Sequence, residues 1–372
     1  MTTTEFNPSR LTLARRRRGL TKTKLAKLLG VEVRSITGYE SGEYNPDPER
    51  LIQLGEKLHF PVQFFFGDDL DEICPDVVSF RSMSKMTAGQ RDSALGAGTI
   101  ALSLVQWMKT QFELPQSVLP DLSQETSPEA AADSLRRIWG VGELPIKNML
   151  HLLEAKGVRV FSLSIDTAQV DAFSMWHSDT PFVFLNTKKT SEHSRFDSAH
   201  ELGHLVLHRH AGAPRGQEAE REANAFASAL LMPRASVLAN APRMATVDQL
   251  IRLKVYWTVS VAALAYRLHD IGLVTDWHYR TLCIEIAKRG YRKTEPNEAP
   301  RETSQVLAKV FGALREDGVT KYDIASALNV KADDLDQLVF GLTLTSLGSK
   351  SQTSSVSSPK RPHLQLLAGG KK

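Results

Sequence analysis

The sequence has little cysteine. Two occur in 372 residues, Cys74 and Cys283, too few and too far apart for a disulfide framework or a thiolate metal site. Long hydrophobic runs are missing as well: no stretch approaches the roughly 18–20 uncharged residues a membrane helix needs. The opening, MTTTEFNPSR, lacks the apolar core of a signal peptide. These absences point to the cytoplasm and away from a membrane. Aromatic residues stand at 7%, while a hydrophobic content of 42% and a charged content of 24% are ordinary for a folded protein. The length leaves room for about two or three domains.

What is there is unevenly spread. Residues 1–36 carry nine Lys/Arg against Glu5 and Glu32, although the whole chain is only +4. A basic block on a mildly acidic body suggests a polyanion partner for that block alone. Residues 8–66 alternate short amphipathic helical patterns with stop signals. Thr21 can cap a second helix that buries Leu25, Ala26, Leu28 and Leu29 before Gly30 ends it. A third runs from about Glu32 to Ser41.

The stretch LTKTKLAKLLGVEVRSITGYESGEYNPDPERL resembles the Cro/repressor-type helix-turn-helix family. The resemblance implies double-stranded DNA as a partner, with the helix starting near Glu32 lying in the major groove. Lys22, Thr23 and Lys24 suit phosphates. Arg34 is the best candidate for a base edge, Thr37 a second, and Ser35 lies between them. Gly38 departs from the family's pattern, standing where a long polar side chain is common. Glu32 places an acid near the expected phosphates.

Further on, GVRVFSLS and FVFLN (182–186) read as strands from their β-branched and aromatic residues. If FVFLN lies at a sheet edge, it can pair with an extended peptide. Then comes FDSAHELGHLVLH (196–208). His200 and His204 are four apart around Glu201, the H-E-x-x-H pattern. Residues i and i+4 share one helix face, so both imidazoles can reach one ion. His208 continues that face, but about 12 Å along the axis from His200 it cannot share the ion. A catalytic zinc takes three protein ligands and keeps a place for water. The next helix, EAEREANAFASALLMP, offers Glu218, Glu220 and Glu222. Glu220 falls on its buried face, Glu222 leans outward, and Asn224 is placed to hold the Glu220 carboxylate.

The set FVFLN, RFDSAHELGHLVLH and EREANAFASALLMP is similar to the ImmA/IrrE-type metallopeptidases. That resemblance maps the third ligand to Glu220 and implies a single catalytic zinc, with Glu201 as the base. It also implies a protein substrate, a repressor-type regulator. The second reading is a transcription factor whose peptidase-like domain is only a sensor or a dimerisation scaffold. A third docks the N-terminal unit on a protein.

GVTKYDIASALNVKADDLDQLVFG (318–341) parallels residues 19–42 without gaps, with seven of 24 positions identical. Asp333, Asp334 and Asp336 would repel phosphate, so this unit is expected to pack against protein. The expected chain is multidomain and mainly α. A helix-turn-helix bundle spans 1–67 and a helical connection 68–144. An α+β zincin-like domain with a small sheet follows at 145–292, then the linker EPNEAPRE (295–302). A helical module covers 301–344 and a disordered tail 345–372. A homodimer is compatible with this layout.

Overall fold

The computed structural model of the chain describes residues 5–73, 86–163, 172–210 and 216–343. The expected tail at 345–372 lies outside them, as does Cys74. Sixteen α-helices and one three-stranded sheet occur among the described residues. The chain is mainly helical, with a helix-turn-helix bundle first and an α+β unit at its centre. None of the described helices is long and apolar enough to cross a membrane.

Helices α1 (Pro8–Arg17), α2 (Lys22–Leu29), α3 (Val33–Ser41) and α4 (Pro48–Leu58) make the N-terminal bundle, closed by a 3-10 turn at Val62–Phe66. Local chemistry sets the ends. The Thr21 hydroxyl accepts from the Lys24 amide at 3.1 Å and caps α2. Gly30 ends α2 in the left-handed conformation. Leu11, Leu25, Ile36, Leu54 and Phe64 meet in the centre, with no solvent exposure.

The 24-residue α5 (Ala88–Gln111) opens on a Thr87/Gln90 capping box and lies along α1. Ser93 Oγ donates to the Arg17 carbonyl at 2.8 Å and sits 3.3 Å from Arg17 Nη1. The N-terminal bundle is therefore seated on the body of the protein.

The central unit runs α6 (Pro128–Ile138), α7 (Met149–Ala155), β1 (Arg159–Ser162), β2 (Ala172–His177), β3 (Thr180–Leu185), α8 (Ser191–Leu207) and α9 (Gln217–Leu231). The sheet order is β1-β3-β2. β1 runs parallel to β3 with Val160 opposite Val183, and β2 runs antiparallel with Phe173 opposite Phe184. This corrects the placement of FVFLN. Its strand, β3, is the middle one and has both sides of its backbone paired, so it has no edge to offer. β2, which sequence patterning did not reveal, is the outer strand on the side of α8. α16, defined below, covers β1 on the other side.

Helices α10 (Arg234–Asn240), α11 (Val247–Trp257), α12 (Val261–Asp270) and α13 (Asp276–Lys288) follow, then α14 (Gln305–Glu316), α15 (Lys321–Ala327) and α16 (Ala332–Val339). The stretch EPNEAPRE between these groups is stitched to the body. Glu295 Oε2 accepts from the Val261 amide at 3.2 Å. Glu302 Oε2 accepts from the Met149 and Leu150 amides at 2.9 and 3.1 Å, capping α7, and its other oxygen pairs with Arg195. Composition alone reads such a run as a solvated linker. Its acids instead neutralise buried donors.

Candidate metal centre and nucleic-acid face

α8 begins at Thr190, whose hydroxyl accepts from the His193 amide. Near its start Glu192, Lys254 and Glu295 form an ionic cluster, each side chain about 1% exposed. Lys254 Nζ is 2.6 Å from Glu192 and 3.3 Å from Glu295. Burial pushes the Glu295 carboxyl above its ordinary pKa, against the amide of Val261 and Lys254. At the other end of the site, two buried guanidiniums hold the carbonyl terminus of α9. Arg136 donates to the Leu230 carbonyl and Arg267 to that of Met232. Cations suit this end of a helix. Burial lowers the Arg136 pKa to about 10.

Between these anchors α8 and α9 approach closely at Gly203. A Cβ there would stand 3.0 Å from the Phe226 ring and 3.3 Å from Ala223 Cα. The glycine inside H-E-x-x-H thus sets how near the second helix can come. That approach brings Glu220 to the two histidines. Nε2 of His200 and Nε2 of His204 are 3.1 Å apart. Glu220 Oε2 is 3.6 Å from the first and Oε1 is 3.4 Å from the second. Donors bound to one tetrahedral zinc at about 2.0–2.2 Å stand about 3.3–3.6 Å from one another. The spacing fits a single ion, and among the described residues this is the one His/Cys/Asp/Glu group of that kind.

The surroundings of the trio differ from the sequence-based expectation. Asn224, expected to brace Glu220, has Oδ1 3.0 Å from His200 Nδ1. An amide oxygen only accepts, so the ring donates and its Nε2 is left as the lone-pair nitrogen. Glu222, expected to lean outward, lies 2.8 Å from His208 Nε2, and His208 Nδ1 is 2.9 Å from His204 Nδ1. Burial holds the His208 pKa below the usual histidine value, with Glu222 opposing. His210 pairs with Asp121 at 2.7 Å. Glu201 sits between the two histidines and is 2% exposed. Its backbone carbonyl accepts from Ser174 Oγ at 3.2 Å, and Trp176 Nε1 reaches the Leu205 carbonyl at 3.1 Å. Both tie β2 to α8. Ser174 was not singled out from sequence, and His208 and Glu222 were weighed there only as ion ligands and set aside. Only His208 carried a signal, its i+4 spacing from His204.

On α2 and α3 the expected DNA contacts divide. Thr23, Lys24, Arg34 and Thr37 are exposed, whereas Lys22 and Ser35 are half-buried. Lys22 Nζ lies 3.4 Å from Glu40, which is also held by Arg15 Nε at 2.5 Å. Much of the basic block is therefore internal. Arg15 pairs with Glu40, Arg10 donates to the Asp68 carbonyl, and Arg17 and Arg18 meet Asp334. Gly38 has a packing reason: a Cβ there would stand 2.3 Å from the Tyr44 ring. Tyr44 fills the space over α3 that a side chain at 38 would take.

A four-helix helix-turn-helix bundle on one unit and a His/His/Glu trio on the other are the features of a DNA-binding regulator domain joined to a metallopeptidase-like domain. Comparison with known families agrees. Residues 11–65 match the helix-turn-helix family and residues 153–269 match the IrrE N-terminal-like domain. The chain is a fusion of a helix-turn-helix domain with an ImmA/IrrE-type domain. Similar curated proteins include uncharacterized HTH-type transcriptional regulators of Sinorhizobium medicae and Rhizobium meliloti. Each is 37% identical over 60 residues, which is 16% of this chain and 43% of the relative. The chain thus spans less than half the length of these curated relatives.

Proposed function

We infer that the protein is a DNA-bound cytoplasmic regulator carrying a zinc-dependent endopeptidase that cuts a repressor-type regulatory protein. The observation that carries the enzymatic half is the convergence of His200, His204 and Glu220 from two helices at zinc-like spacing. Bound there, zinc would supply Lewis acidity toward a scissile carbonyl and make water acidic near neutral pH. Glu201 is the general base: it takes a proton from the attacking water and delivers it to the departing amine nitrogen. Asn224 holds the His200 ring with its Nε2 toward the trio. The outer strand β2, tied to α8 through Ser174 and Trp176, is the edge along which an extended substrate segment pairs its backbone. On the DNA side, Arg34 reads a base edge while Lys24 and Thr23 hold phosphates.

The test compares the wild type with Glu201→Gln. Both are assayed for bound metal, and each is co-expressed with candidate repressor-type regulators. The reading expects zinc in both proteins and cleavage by the wild type alone. Equal regulatory output from both, with no cleaved protein in either, would leave the domain as a sensor or scaffold.

A further inference from the structure

Behind the metal trio, His208 and Glu222 extend in a chain from His204 and take no part in holding the ion. We propose that His208 and Glu222 are positioning residues that fix the tautomer of His204, so that its Nε2 lone pair is aimed at the metal position before any ion arrives. This rests on the reading of His200, His204 and Glu220 as metal ligands.

The proton count carries it. His204 Nδ1 and His208 Nδ1 are 2.9 Å apart, so one hydrogen lies between them. It can belong to either ring. If His208 donates, the neutral His204 carries its remaining proton on Nε2, toward His200 and Glu220, and that nitrogen has no lone pair for an ion. Without a metal this arrangement is self-consistent, because Glu220 Oε1 stands 3.4 Å from His204 Nε2 and can accept. Glu222 decides between the two. Its Oε2 is 2.8 Å from His208 Nε2, and an ionised carboxylate only accepts. His208 must then carry its hydrogen on Nε2. The neutral ring's Nδ1 becomes the acceptor, and the shared hydrogen sits on His204. The His204 and His208 side chains are 9% and 8% exposed, so water competes little for the bond between the two rings; Glu222 is 32% exposed and stays ionised on its solvent side.

Geometry separates this from simple packing. α8 supplies the two rings one turn apart, and α9 supplies both Glu220, which faces the ion position, and Glu222, which faces away from it. One helix therefore presents a ligand and, two residues on, the acceptor that orients a ligand of the other helix. His200 receives the same service from Asn224 on the same helix.

The test uses the full-length protein and zinc alone. Imidazole nitrogen chemical shifts in the metal-free protein report the His204 tautomer, and chelator competition reports zinc affinity. His208→Phe removes the acceptor. His208→Asn places an amide oxygen close to where Nδ1 stood and so should rescue. Glu222→Gln keeps an acceptor without its charge. The wild type and His208→Asn should show His204 protonated on Nδ1 and bind zinc similarly. His208→Phe should move that proton to Nε2 and weaken zinc binding about 10–100-fold, with Glu222→Gln between. An unmoved tautomer and unmoved affinity in His208→Phe and Glu222→Gln would overturn the relay while leaving the metal site intact. A wild type that binds no zinc would instead overturn the metal reading, whatever tautomer the metal-free spectrum shows.

Discussion

Asp334 and Arg18 stand 316 positions apart in the sequence and are joined through both carboxylate oxygens, at 2.8 and 2.7 Å. The same carboxylate is 3.1 Å from Arg17, and the Asp334 side chain is 1% exposed. Burial draws the Arg17 guanidinium below its ordinary pKa, with Asp334 opposing. The last helical module thus grips the first helix of the chain. Asp334→Ala would leave two guanidiniums facing a dry gap. The expected loss is about 3–5 kcal/mol of stability, the usual cost of removing one partner from a buried pair. Urea unfolding measures it, and protease nicking within 296–304 should rise as the module loosens. A variant with the wild-type unfolding midpoint and nicking rate would show that the pair does not hold the module.

The ionic cluster under α8 gives a second prediction. Lys254 is the cation between Glu192 and Glu295. Lys254→Ala should destabilise the protein by about 3–5 kcal/mol, because two carboxylates are left together in the interior. Lys254→Ala combined with Glu295→Gln should recover part of that loss. Denaturant melts of the two proteins check the order; a double variant weaker than the single one would contradict it.

Stability should carry a pH dependence from Glu154. Its carboxylate accepts from the Gln305 and Val306 amides at 2.8 and 3.2 Å and from the Ser304 hydroxyl. Burial nevertheless raises its pKa above the ordinary glutamate value. The native state then holds the proton more tightly than the unfolded chain does. The group's contribution is complete below the unfolded pKa and is lost as pH rises through the folded one. Glu154→Gln abolishes this titration. The stability of wild type minus that of the variant should therefore fall as pH rises through and above the ordinary glutamate range. A difference that grows with pH would mean that the native fold prefers the ionised form.

The DNA face makes a graded prediction. Arg34→Ala should weaken the preferred duplex by about 1–3 kcal/mol and relax its selectivity. Lys24→Ala should weaken all sequences alike and lower the salt slope by about one. Lys22→Ala should do less than Lys24→Ala, because Lys22 already faces Glu40 at 3.4 Å. Salt titrations of a labelled duplex distinguish the three. Equal effects from Lys22 and Lys24 would contradict the pairing seen here.

Local patterns were readable from the sequence, and long-range pairings were not. The spacing of His200 and His204 places them on one face through the helix repeat alone. Glu220 followed from the buried face of the next helix. His208 and Glu222 come together only because α8 and α9 cross at Gly203, an approach that no single-helix pattern contains. β2 was hidden because AFSMWH mixes polar and apolar residues without alternation; four of its six residues are buried, including Ser174. Gly38 looked like a defect on the DNA face until Tyr44 was placed over it. EPNEAPRE misled for a related reason. Its charges resemble surface charges until their partners, Lys254 and Arg195, arrive from distant helices.

The seam between α1 and α5 has a spatial consequence. It sets the bearing of α3 relative to His200, His204 and Glu220 in this structure. Under the proposed function, a copy lying on an operator with this arrangement would hold the His200–His204–Glu220 site at a set offset from the duplex axis. Proteins bound at neighbouring DNA sites would come within reach only at certain helical phasings.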